Sequence, residues 1–157
     1  MLATAKKIQP SGCRKENIAV LLVSPDCEDR SAIREILGNQ RCRILHVADC
    51  RTAQEQLPGF QPCVVVCDRD ASEGGWKQLL RAANLCESKP AVVVVSRCAD
   101  EGLWADVLNE GGYDVLAKPF EPAETCRILQ MAYRNSIARR PVRSERAASV
   151  GMVSAYA

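Results

Sequence analysis

Aromatic side chains are scarce in this chain, at 4% of its 157 residues. So few flat rings argue against a surface that stacks the bases of single-stranded nucleic acid. An excess charge of one sign is missing too: 21 Lys and Arg stand against 19 Asp and Glu, a formal net charge of +2 that implies no nucleic-acid partner. The basic excess is local, at Lys6, Lys7, Arg14 and Lys15 and again at Arg134, Arg139, Arg140, Arg143 and Arg146. No early segment couples a charged start to an apolar run of leader length, and the longest apolar stretches are too short to span a bilayer. A cytoplasmic setting without a membrane partner is expected. No Gly-rich phosphate loop follows the first apolar run, where Ser24-Pro25-Asp26 stands instead, so an enzyme is not expected. The single histidine, His46, lies in an alternating stretch where a satisfied structural role suits it better than catalysis.

Cysteine is the residue present in excess. The nine lie at 13, 27, 42, 50, 63, 67, 86, 98 and 126, with no C-x-x-C pair. Cys63 and Cys67 stand at the two ends of one extended run, too far apart to bridge each other. Most of the nine read as small buried hydrophobes in a reducing compartment.

Apolar residues make up 47% of the chain, enough for a core. Five strand-length runs alternate with amphipathic stretches. The first is 18–23, followed by Asp26 as a helix N-cap, a helix with Ile33, Ile36 and Leu37 at helical spacing, and a stop at Gly38-Asn39. A half-polar run at 43–47 suits an edge strand, and 52–57 reads as a short helix closed by Pro58-Gly59. The runs at 63–67 and 91–95 are apolar without alternation, hence buried on both faces. Helices are expected at 76–86 and 100–110, the latter with a stripe of Leu103, Trp104, Val107 and Leu108. A fifth strand at 113–117 and a last helix from Glu121-Pro122 complete the pattern. Strict alternation with continuous apolar central strands predicts an open, doubly wound α/β domain with a parallel sheet covered by helices on both faces. The domain is expected over 17–138, between tails at 1–16 and 139–157.

Ligands of such sheets bind at the carboxyl ends of the strands. Three polar residues fall there: Asp68 after the third run, Ser96 after the fourth and Lys118 after the fifth. A carboxylate, a hydroxyl and an ammonium gathered at one edge suit the receipt of a phosphoryl group. The carboxylate would attack, and the other two would hold the new phosphate oxygens. Cys67 and Cys98 flank this edge and would be redox-sensitive only with a lowered thiol pKa.

Over about residues 17–135 the chain resembles a response-regulator receiver (CheY-like) domain. The resemblance rests on Val64-Val65-Val66-Cys67 ending in Asp68, on Val92-Val93-Val94-Val95 ending in Ser96, and on the segment from Gly111-Gly112-Tyr113 through Lys118-Pro119-Phe120. It implies a flavodoxin-like fold of five parallel strands in the order 2-1-3-4-5. It implies that Asp68 is phosphorylated from the phosphohistidine of a sensor histidine kinase or phosphotransfer protein. Ser96 would be the switch hydroxyl and Lys118 the phosphate and carboxylate partner. Phosphorylation would then switch a face that binds a downstream protein, with Trp104, Tyr113 and Val115 as candidate members. Tyr113 and Val115 should share one strand face by the period of two.

The chain departs from the family at the metal. Receivers carry two acidic residues after the first strand that help to hold Mg²⁺, and Ser24 and Pro25 occupy those positions here. The oxygens left for an ion are those of Asp68, Asp26 one position late, and Asp70, where the family supplies a backbone carbonyl. Glu28 and Asp29 fall in the first helical turn, where acids are favoured for dipole reasons alone. A phosphoacceptor response regulator without an output domain is the first expectation. A pseudo-receiver that binds a partner regardless of phosphate is the alternative.

Overall fold

The computed structural model describes residues 18–38, 41–71 and 75–140. The tail expected at 1–16 and residues 141–157 of the one expected at 139–157 lie outside the described residues, as does Asn39; Arg139 belongs to the last helix and Arg140 caps it. Strands and helices alternate throughout: β1 (Ile18–Val23), α1 (Cys27–Leu37), β2 (Cys42–Val47), α2 (Cys50–Phe60), β3 (Val64–Asp68), α3 (Gly75–Asn84), β4 (Ala91–Ser96), α4 (Glu101–Asn109), β5 (Asp114–Ala117) and α5 (Pro122–Arg139). All neighbouring strands pair in parallel, in the order β2-β1-β3-β4-β5.

β1, β3 and β4 are buried at every position, as their uniform apolar runs require. Alternate residues of these strands feed two separate cores. Val20, Leu22, Val64, Val66, Val93 and Val95 pack with Ile33 and Leu37 of α1 and Ile128, Leu129 and Ala132 of α5. On the other face Leu21, Val23, Val65, Cys67, Val92 and Val94 pack with residues of α2, α3 and α4. β2 lies at one edge and is only half buried.

Short polar side chains start the helices. Asp26 accepts from Glu28 N–H, Asp49 from Thr52 N–H and Asp100 from Leu103 N–H. Gly38, at a φ of +56°, closes α1. His46 of β2 donates through Nε2 to the carbonyl of Ser24 at 2.8 Å, because a carbonyl can only accept. That ties the edge strand to the end of β1.

Several expectations need correction. α2 starts at Cys50 and runs through Pro58 and Gly59 to Phe60, where Gln61 in the left-handed region ends it. Pro58 sits exposed in the final turn. Continuing the helix lets Phe60 pack against both cores and under the Arg43 guanidinium. α3 ends at Asn84, short of Cys86. The α4 stripe is narrower than expected: Leu103 and Val107 are buried, but Trp104 is 50% exposed and Leu108 37%. β5 begins at Asp114, so Tyr113 precedes the pleat. It packs towards the α1–α5 core while Val115 packs towards the other, and the two do not share a face. No described helix is long and apolar enough to cross a membrane.

Candidate functional site

The register of the sheet brings the three strand-end residues together. β3 pairs with β4 up to Asp68 and Val95, and β4 with β5 up to Ser96 and Ala117. The backbone continues the alignment, because Lys118 N–H donates to Ser96 C=O at 3.0 Å and Arg69 N–H to Val95 C=O at 2.8 Å.

Asp68 is 7% exposed, and each of its oxygens has a partner. Oδ1 accepts the Asp70 N–H at 2.8 Å, a turn closed by the aspartate's own side chain. Oδ2 accepts from Lys118 Nζ at 2.5 Å. The ammonium also donates to Oδ2 of Asp29 at 2.5 Å, so one cation bridges two carboxylates. Burial pulls the Lys118 pKa down, but hydrogen bonds and charge from Asp29 and Asp68 outweigh it and hold the group above the ordinary lysine value.

Ser24 is buried beside this triplet. Its hydroxyl donates to Asp29 Oδ2 at 2.5 Å and accepts the Asp26 N–H at 3.0 Å. Pro25 faces solvent. Ser96 lies at the same edge, its Oγ accepting the Cys98 N–H at 3.0 Å. The Asp70 side chain is exposed. Asp26 stays at the helix cap, half exposed, on the wall of a groove of about 810 Å³ shared with Asp29, Ile36, Arg97, Lys118 and Phe120. Asp68, Lys118 and Ser96 therefore gather as expected, with Asp26 beside them, while Trp104 stands on α4 with its ring half in solvent.

No family model matches the chain, and no curated protein does. Solved structures do. The signal receiver domain of an HD domain-containing protein from Pseudomonas fluorescens matches with a TM-score of 0.70 at 18% identity, covering 79% of this chain and 100% of that one. The receiver domain of a sensor histidine kinase from Pseudomonas aeruginosa, with a magnesium ion in its active-site cleft, matches at 0.64 and 24%, covering 75% and 98%. The chemotaxis protein CheY4 of Vibrio cholerae matches at 0.66 and 18%, covering 74% and 99%. The fold is that of a receiver domain.

The receiver fold accounts for the strand-end triplet, but Asp29 escaped the sequence reading. An acid in a first helical turn needs no explanation beyond the helix dipole. The missed signal was its phase: Asp29, Ile33 and Leu37 are spaced by four, and all three are buried on one face of α1. The acid heads the apolar stripe of its helix and is therefore turned inward, onto Lys118.

This arrangement also bears on the ion. Among the described residues no three carboxylates, histidines or cysteines converge on a metal position. Mg²⁺, however, is often held by one or two carboxylates, with waters and phosphate completing its shell. Asp29 and Asp68 converge on one ammonium, which leaves the triplet one negative charge in excess. That donor set fits a hard divalent cation. Asp29 and Asp68 would hold it, with the Asp70 carbonyl nearby in sequence and Asp26 on the rim.

Proposed function

We propose that this chain is a phosphoacceptor receiver, modified on Asp68 by a phosphohistidine of a sensor histidine kinase or phosphotransfer protein, and that the modified form is read by a downstream protein. The observation that supports it is the bridge from Lys118 to both Asp29 and Asp68 at the edge of the sheet beside an open groove. The bridge supplies a second carboxylate where Ser24 and Pro25 offer none.

In the transfer, an oxygen of Asp68 attacks phosphorus, the P–N bond breaks, and the imidazole leaves with the electron pair and takes up a proton. Lys118 follows the developing charge onto the phosphoryl oxygens, to which an ammonium offers three donors. Asp29 keeps that ammonium at the Asp68 carboxylate. Bound Mg²⁺ would supply further neutralisation of the phosphoryl oxygens. Ser96, whose hydroxyl accepts the Cys98 N–H, would donate its proton to a phosphoryl oxygen. Trp104, Tyr113 and Val115 belong to the proposed output face, and a cytoplasmic location is part of the same reading.

The deciding experiment titrates the protein with Mg²⁺ and beryllofluoride, a mimic of the aspartyl phosphate, and follows tryptophan fluorescence and amide shifts. The proposal expects a saturable, Mg²⁺-dependent change lost in Asp68→Asn. A folded protein silent by both probes sinks it and leaves a phosphate-independent binding module.

A further inference from the structure

Behind the Asp68 edge, on the face covered by α2, α3 and α4, two cysteines touch. Cys50 is the first residue of α2 and Cys67 precedes Asp68 on β3. Both side chains are fully buried, and their sulfurs are 3.6 Å apart. Cys50 is also 3.1 Å from the carbonyl oxygen of Ala71, itself 1% exposed, three positions beyond Asp68. Cys50 S–H donates to Ala71 C=O, which leaves the Cys67 S–H to donate to the Cys50 sulfur or to Asp68 C=O at 3.4 Å.

A single buried cysteine would need no account beyond packing. Two whose sulfurs meet, one of them holding the segment that follows Asp68, ask for more. A disulfide needs its sulfurs about 2.05 Å apart, with Cβ atoms about 3.5–4.5 Å apart. The sulfurs stand 3.6 Å apart, so closure asks them to approach by about 1.5 Å.

We propose that Cys50 and Cys67 are an oxidisable dithiol, closed to a disulfide by hydrogen peroxide, and that closure releases the segment after Asp68. Cys67 does not meet the condition of a lowered thiol pKa: its contact with Cys50 and its burial hold it well above the ordinary cysteine value, while the same contact lowers Cys50. The Cys50 sulfur attacks a peroxide oxygen: an S–O bond forms, the O–O bond breaks, and the departing oxygen leaves as water with the thiol proton. The second sulfur attacks the first, the S–S bond forms, the S–O bond breaks, and a second water leaves. Two thiols lose two electrons to one peroxide. Cys50 then has no hydrogen to donate, and the buried Ala71 carbonyl loses its partner, so residues 69–71 must shift to find another. This does not depend on whether Asp68 is ever phosphorylated.

The test exposes the full chain to hydrogen peroxide, blocks remaining thiols with N-ethylmaleimide after unfolding, and maps tryptic peptides by mass spectrometry. Cys50 falls in the peptide ending at Arg51, and Cys67 in the one ending at Arg69, which also holds Cys63. The expected product joins the two peptides, is lighter by two hydrogen atoms, fragments at Cys67 rather than Cys63, and is undone by dithiothreitol. Cys50→Ala abolishes it, with Cys67→Ala as the second variant should the first not fold. The amide shifts of Asp68 to Ala71 move on oxidation of the wild type. Cys50 and Cys67 both fully alkylated while the exposed Cys27 and Cys98 are oxidised would overturn the dithiol. A disulfide that leaves the amides of 68–71 unmoved would overturn the release.

Discussion

Lys118 donates to Oδ2 of Asp29 at 2.5 Å, matching its distance to Asp68, although 89 positions separate lysine and aspartate in the chain. The contact joins the loop after β5 to the first turn of α1. It sets a second carboxylate beside the one that ends β3. The same oxygen accepts the Ser24 hydroxyl, so the residue that follows β1 helps to hold Asp29 in place.

If Asp29 completes the site, Asp29→Asn should weaken Mg²⁺ binding by at least the about 10- to 100-fold that follows loss of even an outer-sphere partner. Glu28→Gln, one position away and exposed, should leave affinity unchanged. Calorimetric titration of both variants checks this. Equal affinities would remove Asp29 from the site.

Lys118→Met leaves two buried carboxylates facing each other without a cation. Breaking a buried ion pair from one side costs about 3–5 kcal/mol, and urea denaturation at neutral pH should show a loss of that order.

The pH dependence has a definite sign. Because the folded pKa of Lys118 lies above its ordinary 10.5, its contribution is fully present below that value and is lost as pH rises through the raised one. The difference in unfolding free energy between wild type and Lys118→Met should stay level from about pH 8 to about pH 10 and shrink above that. A difference that grows with alkalinity contradicts the bridge.

Much of this was legible along the chain. Val64 to Val66 and Val92 to Val95 are apolar without alternation, and only a central parallel strand buries both faces that way. Asp68 and Ser96 each follow such a run and Lys118 follows the edge strand β5, so topology alone brought them together. Features that depend on tertiary placement were not legible. Asp29 looked like any acid in a first turn until β5 set Lys118 opposite it. Pro58 looked like a helix end because the packing of Phe60, which draws α2 onward, is not a local property. Cys50 and Cys67 meet only because the start of α2 reaches the end of β3.

Gly112 marks a close approach at the α4–β5 turn. A Cβ there would lie 2.4 Å from Val107 Cγ1 and 2.9 Å from Val107 C=O. Gly112→Ala should cost about 1–3 kcal/mol through overpacking, read as a lowered Tm.

Trp104→Ala should change stability by less than about 1 kcal/mol, since half the ring is already in water. Leu103→Ala, one position earlier and 5% exposed, should cost about 2–5 kcal/mol. Thermal unfolding of the pair separates a ring kept for the core from one free to meet a partner.

At the far end of α5, Arg140 donates through Nε to the carbonyl of Ser88 and lies 3.3 Å from the Cys63 sulfur, and Ser136 bonds the carbonyls of Ser88 and Lys89. These partners precede β3 and β4, at the edge of the sheet opposite Asp68. α5 thus starts beside Lys118 and finishes pinned about 27 Å away, at 1.5 Å for each of its 18 residues. It works as a strut with both ends seated. The helix thus ties the loop that follows Lys118 to the rim of the sheet opposite Asp68.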